Sequence, residues 1–432
     1  MAYGGGSFVT QNKTLPGTYM NFVSVAAASS NISDRGVATM GLELDWGIEG
    51  KIFEVTSEDF QKDSLKLFGY SFSHEKLKGL RDLFKNIKTL YAYRLNGGGT
   101  KAANKYATAV FGGTRGNDIK IVIQANAEAP ESDFDVITMI DTVTVDKQVV
   151  KASTELKPND FVTFKEFEIG LEAGMNLSTG TNAEVNGSSH QTYLDKAESY
   201  NFNVIGLAST DDEIKSLYVA YTKRMREEIG AKFQCVLYNK AADYEGIINV
   251  KNQSTELEPA LVYWTTGAQA GCPVNKTLLN RKYDGEYTVN TDYTQNDLVK
   301  AIKAGEFTFH NVNGEPRVLE DINSLVSETE EKGPDFKSNQ TIRVIDQVAN
   351  DIAVLFNSKY LGNMPNDAAG RTALWADIVK HHEGLQNLRA IEDFSDKDVV
   401  VELGSDKKSV YVTDSIKVTS AMAKLYMVVR VA

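Results

Sequence analysis

Two glycine-rich stretches are the first residues of this sequence that could do chemistry, because such loops can bind phosphate. Residues Gly112–Asn117 read GGTRGN, but they lack the Gly-Lys-Ser/Thr ending of a phosphate loop, and they precede a predicted strand. A bound phosphate would need the N-terminus of a helix at that point. Asn96–Gly99 fails the test for a dinucleotide-binding loop for the same reason. We therefore interpret both stretches as turns.

Histidines and carboxylates also lack the spacing of a catalytic site. His381-His382-Glu383 resembles half of a zinc-protease motif, but the second zinc ligand would stand at position 386, which is Gln386. We expect this histidine pair to face solvent or an interface on its helix. The sequence has no Gly-x-Ser-x-Gly nucleophile elbow, and with 58 acidic residues no single pair of carboxylates is informative. We therefore predict no catalytic residue, no bound metal and no cofactor.

The two cysteines, Cys235 and Cys272, are far apart and stand in different sequence contexts. Cys235 lies in the apolar, strand-like run Phe233–Tyr238. A small buried hydrophobic side chain explains this position better than a metal ligand or a nucleophile does. Stability is therefore not expected to depend on a disulfide.

Length and composition are those of a soluble protein with several domains. The 432 residues are 42% apolar and 24% charged, and a chain of this length is expected to form two to four domains. It contains no run of eighteen apolar residues, so no membrane span is predicted. The first residues lack the pattern of a signal peptide, so export by that route is not expected.

The net charge of −12 is unevenly distributed along the chain. Residues 337–432 hold 12 of the 46 basic and 12 of the 58 acidic residues, so the whole negative excess lies in residues 1–336. An acidic protein is a poor partner for nucleic acid. We interpret the charge-balanced part as packing against other protein and the acidic part as facing solvent, with chance variation as the alternative.

Residues 28–170 contain two successive predicted units. Residues 28–98 combine strands with amphipathic helices and are predicted to form a small α/β domain. Residues 99–170 show short strands separated by turn residues, the pattern of a β-sandwich. The predicted elements are strands at Gly36–Leu44 and Thr89–Arg94, a helical segment capped by Ser57 and ending near Phe68, a helix with apolar residues from Leu77 to Ile87, and strands at Tyr106–Phe111, Ile119–Gln124, Phe134–Ile140, Val143–Val150 and Phe161–Lys165.

Residues 171–335 alternate strands with helices after a polar stretch, 170–187, that is predicted to be a loop or linker. Strands at Phe202–Ala208 and Phe233–Tyr238 flank a helix, which we predict to begin with a capping box at Thr210–Glu213. Ile247–Val250 and Ala260–Thr266 continue the alternation. A strand–helix–strand repeat predicts a doubly wound α/β domain with a parallel sheet.

Residues 336–418 are predicted to form an α+β domain of two amphipathic helices followed by strands. The strands are expected at Val399–Leu403, Ser409–Val412 and Ile416–Val418. The apolar residues that define the helices are Ile342, Ile345, Ile352 and Leu355 on the first and Leu374 and Ile378 on the second.

Both ends of the chain are predicted to be strands that are apolar on two faces: an N-terminal arm, residues 1–27, and a C-terminal arm, residues 419–432. A strand of this kind must be covered on both faces. We expect neighbouring copies of the chain to supply that cover, which predicts a self-assembling structural protein. The residues expected to make these contacts are Pro16, Tyr19, Met20, Phe22 and Val23 in the first arm and Leu425, Met427, Val429 and Val431 in the second.

Short strings in the same order over nearly the whole chain resemble the contractile tail sheath proteins of phages and phage tail-like R-type bacteriocins. Each string alone is weak, and their order and spacing carry the resemblance. The strings are Leu15–Phe22 with Arg35–Gly41, Tyr93–Gly98 with Phe111–Asp118, and Ile342–Val348 with Tyr360–Gly362, Arg371, Leu385 and Ile391–Phe394.

The resemblance implies a subtilisin-like fold for residues 171–335 and a variable β-sandwich inserted before it. No Asp/His/Ser set at motif spacing accompanies that fold, so proteolysis is not expected. The resemblance further implies hexameric rings stacked around a tail tube, with terminal arms that add strands to sheets of adjacent subunits. Contraction would switch the lattice between two packings and drive the tube through a target cell envelope.

The implied partners are other copies of the chain, the tail tube protein, and baseplate and tail-terminator proteins. No nucleic acid or membrane insertion is expected. The implied location is a virion or tail-like particle that is assembled in the bacterial cytoplasm and released by lysis. The alternatives are a sheath subunit of another contractile injection system, a tube or baseplate component, and an α/β hydrolase-like enzyme.

Overall fold

The computed structural model describes residues 32–431, which form two compact units. The α/β unit comprises residues 32–39, 79–88 and 198–431, and the sandwich unit comprises residues 40–78 and 89–197. Residues 28–98, predicted as one small α/β domain, therefore contribute to both units.

The strands, in chain order, are β1 Val37–Leu42, β2 Phe53–Thr56, β3 Thr89–Arg94, β4 Lys101–Ala103, β5 Ala107–Gly112, β6 Ile119–Ala125, β7 Phe134–Ile140, β8 Val143–Val150, β9 Val162–Phe164, β10 Glu172–Asn176, β11 Val204–Leu207, β12 Gln234–Tyr238, β13 Ile247–Val250, β14 Glu306–Phe307, β15 Phe309–Val312, β16 Glu315–Val318, β17 Ile391–Glu392, β18 Val399–Leu403, β19 Val410–Asp414 and β20 Lys417–Val418. The helices are α1 Ser57–Lys62, α2 Ser64–Phe68, α3 Lys78–Phe84, α4 Gly187–Ala197, α5 Asp212–Arg224, α6 Leu261–Gly271, α7 Gln295–Lys303, α8 Asn339–Leu355 and α9 Ala368–Asn387.

A parallel sheet forms the centre of the α/β unit. Its strands follow the order β14, β13, β12, β11, and all three neighbouring pairs are parallel. Every residue of β11, β12 and β13 is buried, as expected for strands that are covered on both faces. Helix α5 connects β11 to β12, and Tyr218 and Tyr221 lie on its buried side. The predicted alternation of strands and helices is confirmed here.

Two helix starts lie one residue away from the predicted positions. The carboxylate of Asp211, not a box at Thr210, caps α5 and accepts hydrogen bonds from the backbone N–H groups of Glu213 and Ile214 at 2.9 and 3.1 Å. Thr56, not Ser57, caps α1. All four residues, two threonines, a serine and an aspartate, are of types that cap helices well, so the extended backbone at Thr56 and Asp211, not the residue type, selects the capping position.

The sandwich unit confirms the predicted β-sandwich. Strands β10, β6, β7 and β8 form an antiparallel four-stranded sheet, and β4, β5 and β9 form a three-stranded sheet. Alternate residues of β6 point into a shared core that also contains Trp46, Val136 and Val162. The alternation of one buried and one partly exposed side chain is the pattern that the sequence displayed.

The interpretation of residues 170–187 as a loop is wrong for its first part. Residues Glu172–Asn176 form β10, which pairs antiparallel with β6, and Leu177 is buried in the sandwich core. None of the five residues of β10 is fully buried, because the strand lies at the edge of its sheet. An edge strand without a buried face leaves no alternating apolar pattern in the sequence.

Both cysteine thiols are free and buried, which confirms the interpretation of Cys235. Burial raises the pKa of Cys235 to about 12 and also raises the pKa of Cys272. Because the thiolate is the reactive form, we expect the native protein to resist alkylation by iodoacetamide at pH 8, whereas both cysteines react in urea. Mass spectrometry measures the modified fraction, and rapid labelling of either cysteine in the native protein would contradict this packing.

Within residues 32–431, no helix is both long and apolar enough to cross a membrane.

Candidate assembly surface

Helix α8 is the scaffold on which the C-terminal part of the α/β unit is built. Its first turn is capped by the hydroxyl of Ser338, and it continues into a π-helical turn at Phe356–Tyr360. Eleven of its seventeen residues are buried, and several of these are polar or charged. A helix that buries charged side chains must supply each with a partner.

Two buried ion pairs supply those partners. Arg343 of α8 lies 2.7 Å from Asp321, and both side chains are at most 2% exposed. Asp346 of α8 accepts two hydrogen bonds, at 2.6 and 2.8 Å, from the guanidinium of Arg226. Burial lowers and Asp346 raises the pKa of Arg226, and the carboxylate outweighs burial. The pairs hold α8 in one position relative to the segments that carry Arg226 and Asp321.

Helix α9 packs on α8 through an apolar cluster that also includes the inner side of strands β18 and β19. Asp367 caps α9 by accepting a hydrogen bond from the N–H of Gly370. Of the six apolar residues that the sequence placed on the two helices, Ile342, Leu355, Leu374 and Ile378 are buried, and Ile345 and Ile352 are partly buried.

The histidine pair of α9 lies in the interior, so the expectation that it faces solvent or an interface is wrong. His381 and His382 are 1% and 0% exposed. Each ring is hydrogen-bonded to a carboxylate, His381 to Asp351 and His382 to Asp414. Polar residue types favoured a surface position, but side-chain partners from α8 and β19 satisfy them inside the protein.

Strands β18 and β19 form a two-stranded antiparallel hairpin beside α9. Its inner side is held by apolar packing and by Trp375, whose indole N–H donates to the carbonyl oxygen of Val399 at 3.0 Å. Its outer side exposes Val400 and Tyr411, and Leu403 is exposed at the end of β18. Within residues 32–431 each strand pairs only with the other, so both outer edges of the hairpin keep their backbone groups unpaired by strands.

Residues 419–431 do not form the predicted strand in the isolated chain. They have no strand partner among the described residues, and every side chain from 420 to 431 is exposed. The apolar side chains from Leu425 to Val431 are between 69% and 93% exposed. A strand needs backbone partners on a neighbouring strand, and this segment has none within the described part of its own chain.

The base of this segment is nevertheless fixed to α8. The side-chain amide of Gln340 donates to the carbonyl oxygen of Thr419 at 3.0 Å, and its oxygen accepts from the N–H of Ala421 at 3.3 Å. The exposed apolar residues therefore leave the protein from a defined point. The predicted N-terminal contact residues, Pro16 to Val23, lie outside the described residues.

The other groups considered for chemistry have structural partners. Residues Thr114–Asp118 of the glycine-rich stretch form a short 3-10 helix that leads into β6. Its Arg115 donates to Asp141 and to the carbonyl oxygen of Gly69. Across residues 32–431 no three histidine, cysteine, aspartate or glutamate side chains are grouped so that they could hold a metal ion. The β18–β19 hairpin and the exposed residues 420–431, together called the assembly surface, are thus the features of the described chain that suggest a function.

The sequence did not identify the residues whose hydrogen bonds hold α9 and the β18–β19 hairpin in place. Asp351, Trp375 and Asp414 carry no motif, and their bonds to His381, to residues 396 and 399, and to His382 join residues 21 to 32 positions apart in sequence. The strands themselves were predicted, but which of their edges stay unpaired depends on the pairing of β18 with β19.

Four family profiles match consecutive parts of the chain. They are described as the Gp18 domain III N-terminal region of a tail sheath protein at residues 35–95, the phage tail sheath β-sandwich domain at 97–186, the phage tail sheath central domain at 183–324, and the phage tail sheath C-terminal domain at 331–432.

Comparison with individual proteins also finds tail sheath proteins and a phage-like element protein. The chain is 34% identical to the phage-like element PBSX protein XkdK of Bacillus subtilis strain 168, covering 99% of both chains. The crystal structure of a sheath tail protein from Desulfitobacterium hafniense is similar, with a TM-score of 0.82 and 36% identity over 95% of this chain and 99% of that one. The sheath of an extracellular contractile injection system in its contracted state has a TM-score of 0.55 at 12% identity over 98% of both chains, a likeness of fold alone.

Proposed function

The chain belongs to the phage tail sheath family, and from this premise we propose that it polymerises as stacked hexameric rings around a tail tube and contracts. The observation that carries the proposal is the exposed apolar segment 422–431, together with a hairpin whose two outer edges pair with no other strand within residues 32–431. The segment has no strand partner among the described residues, and the hairpin can accept strands. Two such features in one chain suit β-strand addition between copies.

We propose that the β18–β19 hairpin is the acceptor and that both terminal arms are donors. Each copy then offers two edges and two arms, so donors and acceptors balance throughout a lattice. The donor residues are those named from the sequence: Pro16, Tyr19, Met20, Phe22 and Val23, and Leu425, Met427, Val429 and Val431. The thirteen residues 419–431 can span about 43–47 Å when extended, enough to reach a neighbouring subunit.

Strand addition also suits a lattice that rearranges. Main-chain hydrogen bonds along an added strand do not depend on the orientation of the domain from which the arm departs. The subunits can therefore rotate between two packings while the arms keep them connected. The contracted state named for the similar injection-system sheath supports this part of the proposal. Assembly would store the energy, and no nucleotide is required.

The domain organisation proposed for this function follows the sequence boundaries. Residues 1–27 and 419–432 are the arms, and residues 337–432 together with the arms form the connecting layer next to the tube, which the zero net charge of residues 337–432 supports. Residues 28–98, 99–170 and 171–335 form the outer layer and carry the acidity, and we propose a subtilisin-like topology for the last of these. The parallel order of β11 to β14 is compatible with that topology.

The proposed partners are the tail tube protein and the baseplate and tail-terminator proteins, besides other copies of the chain. The particle would be assembled in the bacterial cytoplasm and released by lysis. A structural family favours a role without catalysis. Electron microscopy of the purified protein tests the proposal, since hollow tubes are expected and a chain that stays monomeric at high concentration would contradict it.

A charged residue on the hairpin's outer side should weaken assembly without unfolding the chain. Tyr411 is 42% exposed, so Tyr411→Asp costs the monomer little. Loss of one buried apolar contact, worth about 1.5–3 kcal/mol, should raise the concentration needed for polymerisation about tenfold or more. Sedimentation measures that concentration.

The matched control is Leu171→Asp, which places the same charge at an exposed apolar position of the sandwich unit, 72% exposed. We expect it to polymerise like the unchanged protein. Equal loss of polymerisation in both variants would show that added charge, and not the hairpin, is responsible.

A further inference from the structure

A continuous series of hydrogen bonds crosses the interior of the α/β unit from α8 to β19. Nε2 of His381 lies 2.9 Å from Oδ2 of Asp351 on α8, and Nε2 of His382 lies 2.7 Å from Oδ2 of Asp414 on β19. The two Nδ1 atoms face each other at 3.1 Å. Two adjacent histidines on one helix thus join two carboxylates from different elements.

The surroundings of Asp351 determine the direction of the first hydrogen bond. The N–H of Ser33 donates to Oδ2 at 3.2 Å, its hydroxyl donates to Oδ1, and the amide of Gln347 donates to both oxygens at 2.9 and 3.0 Å. A carboxyl group that receives so many donors is in its ionised, acceptor-only form. His381 must therefore donate its Nε2–H, and His382 donates likewise to the carboxylate of Asp414.

The facing Nδ1 atoms then require one further proton. If both histidines were neutral, their Nδ1 lone pairs would face each other without a hydrogen bond. If both were cationic, two N–H groups would face each other. Only one proton between them gives a hydrogen bond at 3.1 Å, so the intact pair carries three ring protons and one positive charge.

A metal ion in place of this proton does not fit the arrangement. Both carboxylates bind the outer Nε2 atoms, so they lie on the wrong sides of the rings to complete a site between the Nδ1 atoms. Two imidazole nitrogens alone fall short of the ligand sets that hold zinc in proteins.

We propose that His381 and His382 form a proton-binding site whose single shared proton ties the bases of both terminal segments to helices α8 and α9. On one side, Ser33 lies at the start of the described chain and is bound to Asp351. On the other side, Asp414 ends β19, six residues before the exposed segment that begins at 420. This inference stands whether or not the chain polymerises.

Two further side chains of the described residues contact this site or act on its charges. From the segment of Ser33, Arg35 donates to the carbonyl oxygens of Gln269 and Cys272, and its charge also acts on Asp351. From the other side, the ring of Phe394 packs edge-on against His382 at 5.1 Å between centroids. The pair thus lies between two carboxylates, with one guanidinium beyond the first.

Hydrogen exchange in the soluble full-length chain tests the connection at neutral pH. Asp414→Ala removes the acceptor of His382, and we expect amides of residues 412–420 and also of residues 33–37 to exchange about tenfold faster or more. The matched control is Asp393→Ala, a neighbouring exposed carboxylate paired with Lys417, which should leave residues 33–37 unchanged. Faster exchange confined to residues 412–420 would overturn the connection.

The ring protons themselves can be counted in the unchanged protein. In a chain labelled with ¹⁵N-histidine, the two signals lost in His381→Gln and His382→Gln should both show protonated Nε2 at neutral pH. Together they should show one Nδ1 proton. Two unprotonated or two protonated Nδ1 atoms would overturn the shared proton.

Discussion

Removal of residues 420–432 should leave a folded protein that no longer polymerises. The side chains from 420 to 431 are exposed, so the monomer loses no core packing. In the proposed lattice the same deletion removes the donor side chains Leu425, Met427, Val429 and Val431. Burial of each is worth about 1.5–3 kcal/mol, so the truncated chain should stay monomeric at concentrations at least about a hundredfold above those that give tubes.

Deletion of residues 1–20 should have a similar effect, because it removes part of the other proposed donor arm. Circular dichroism checks the fold of both truncated chains, and electron microscopy checks for tubes. A chain of full length with Leu425→Asp and Val429→Asp separates the role of the side chains from that of the length. Tubes of normal appearance from both truncations would disprove the donor role of the arms.

Asp346→Ala should be among the most destabilising single changes in the α/β unit. It leaves the guanidinium of Arg226, 4% exposed, without its carboxylate partner inside the protein. Breaking a buried ion pair on one side costs about 3–5 kcal/mol. The decrease should appear as a lower urea midpoint for the unfolding of this unit, measured below the polymerisation concentration.

Two further variants show whether the loss of stability comes from the broken ion pair. Asp335→Ala removes an exposed carboxylate just before α8 and should change stability by less than about 0.5 kcal/mol. The double variant Arg226→Met with Asp346→Leu removes both charges and should be more stable than Asp346→Ala alone. If the double variant were the less stable of the two, the loss would come from packing volume, and an unpaired charge would not explain it.

The sequence predicted the elements whose apolar residues recur at the spacing of a strand or a helix. Strands β7 and β8 have the predicted bounds, and helices α8 and α9 appear where apolar residues recur at helical spacing. Such patterns are local, because the side-chain period of a strand or helix appears within a few residues. The resemblance to sheath proteins is likewise carried by short residue strings, each of them local, that occur in a characteristic order along the chain.

Only the tertiary structure decided which polar residues are interior and which apolar residues are exposed. His381 and His382 are buried because Asp351 and Asp414 meet them from two other elements, and no local pattern announces such partners. Residues 423–431 have the apolar side chains of a strand covered on both faces but no strand partner among the described residues. An extended segment forms a β-strand only when a neighbouring strand supplies its backbone hydrogen bonds. For this segment the sequence determined the capacity to pair. The tertiary structure determined that the described residues contain no partner strand for it.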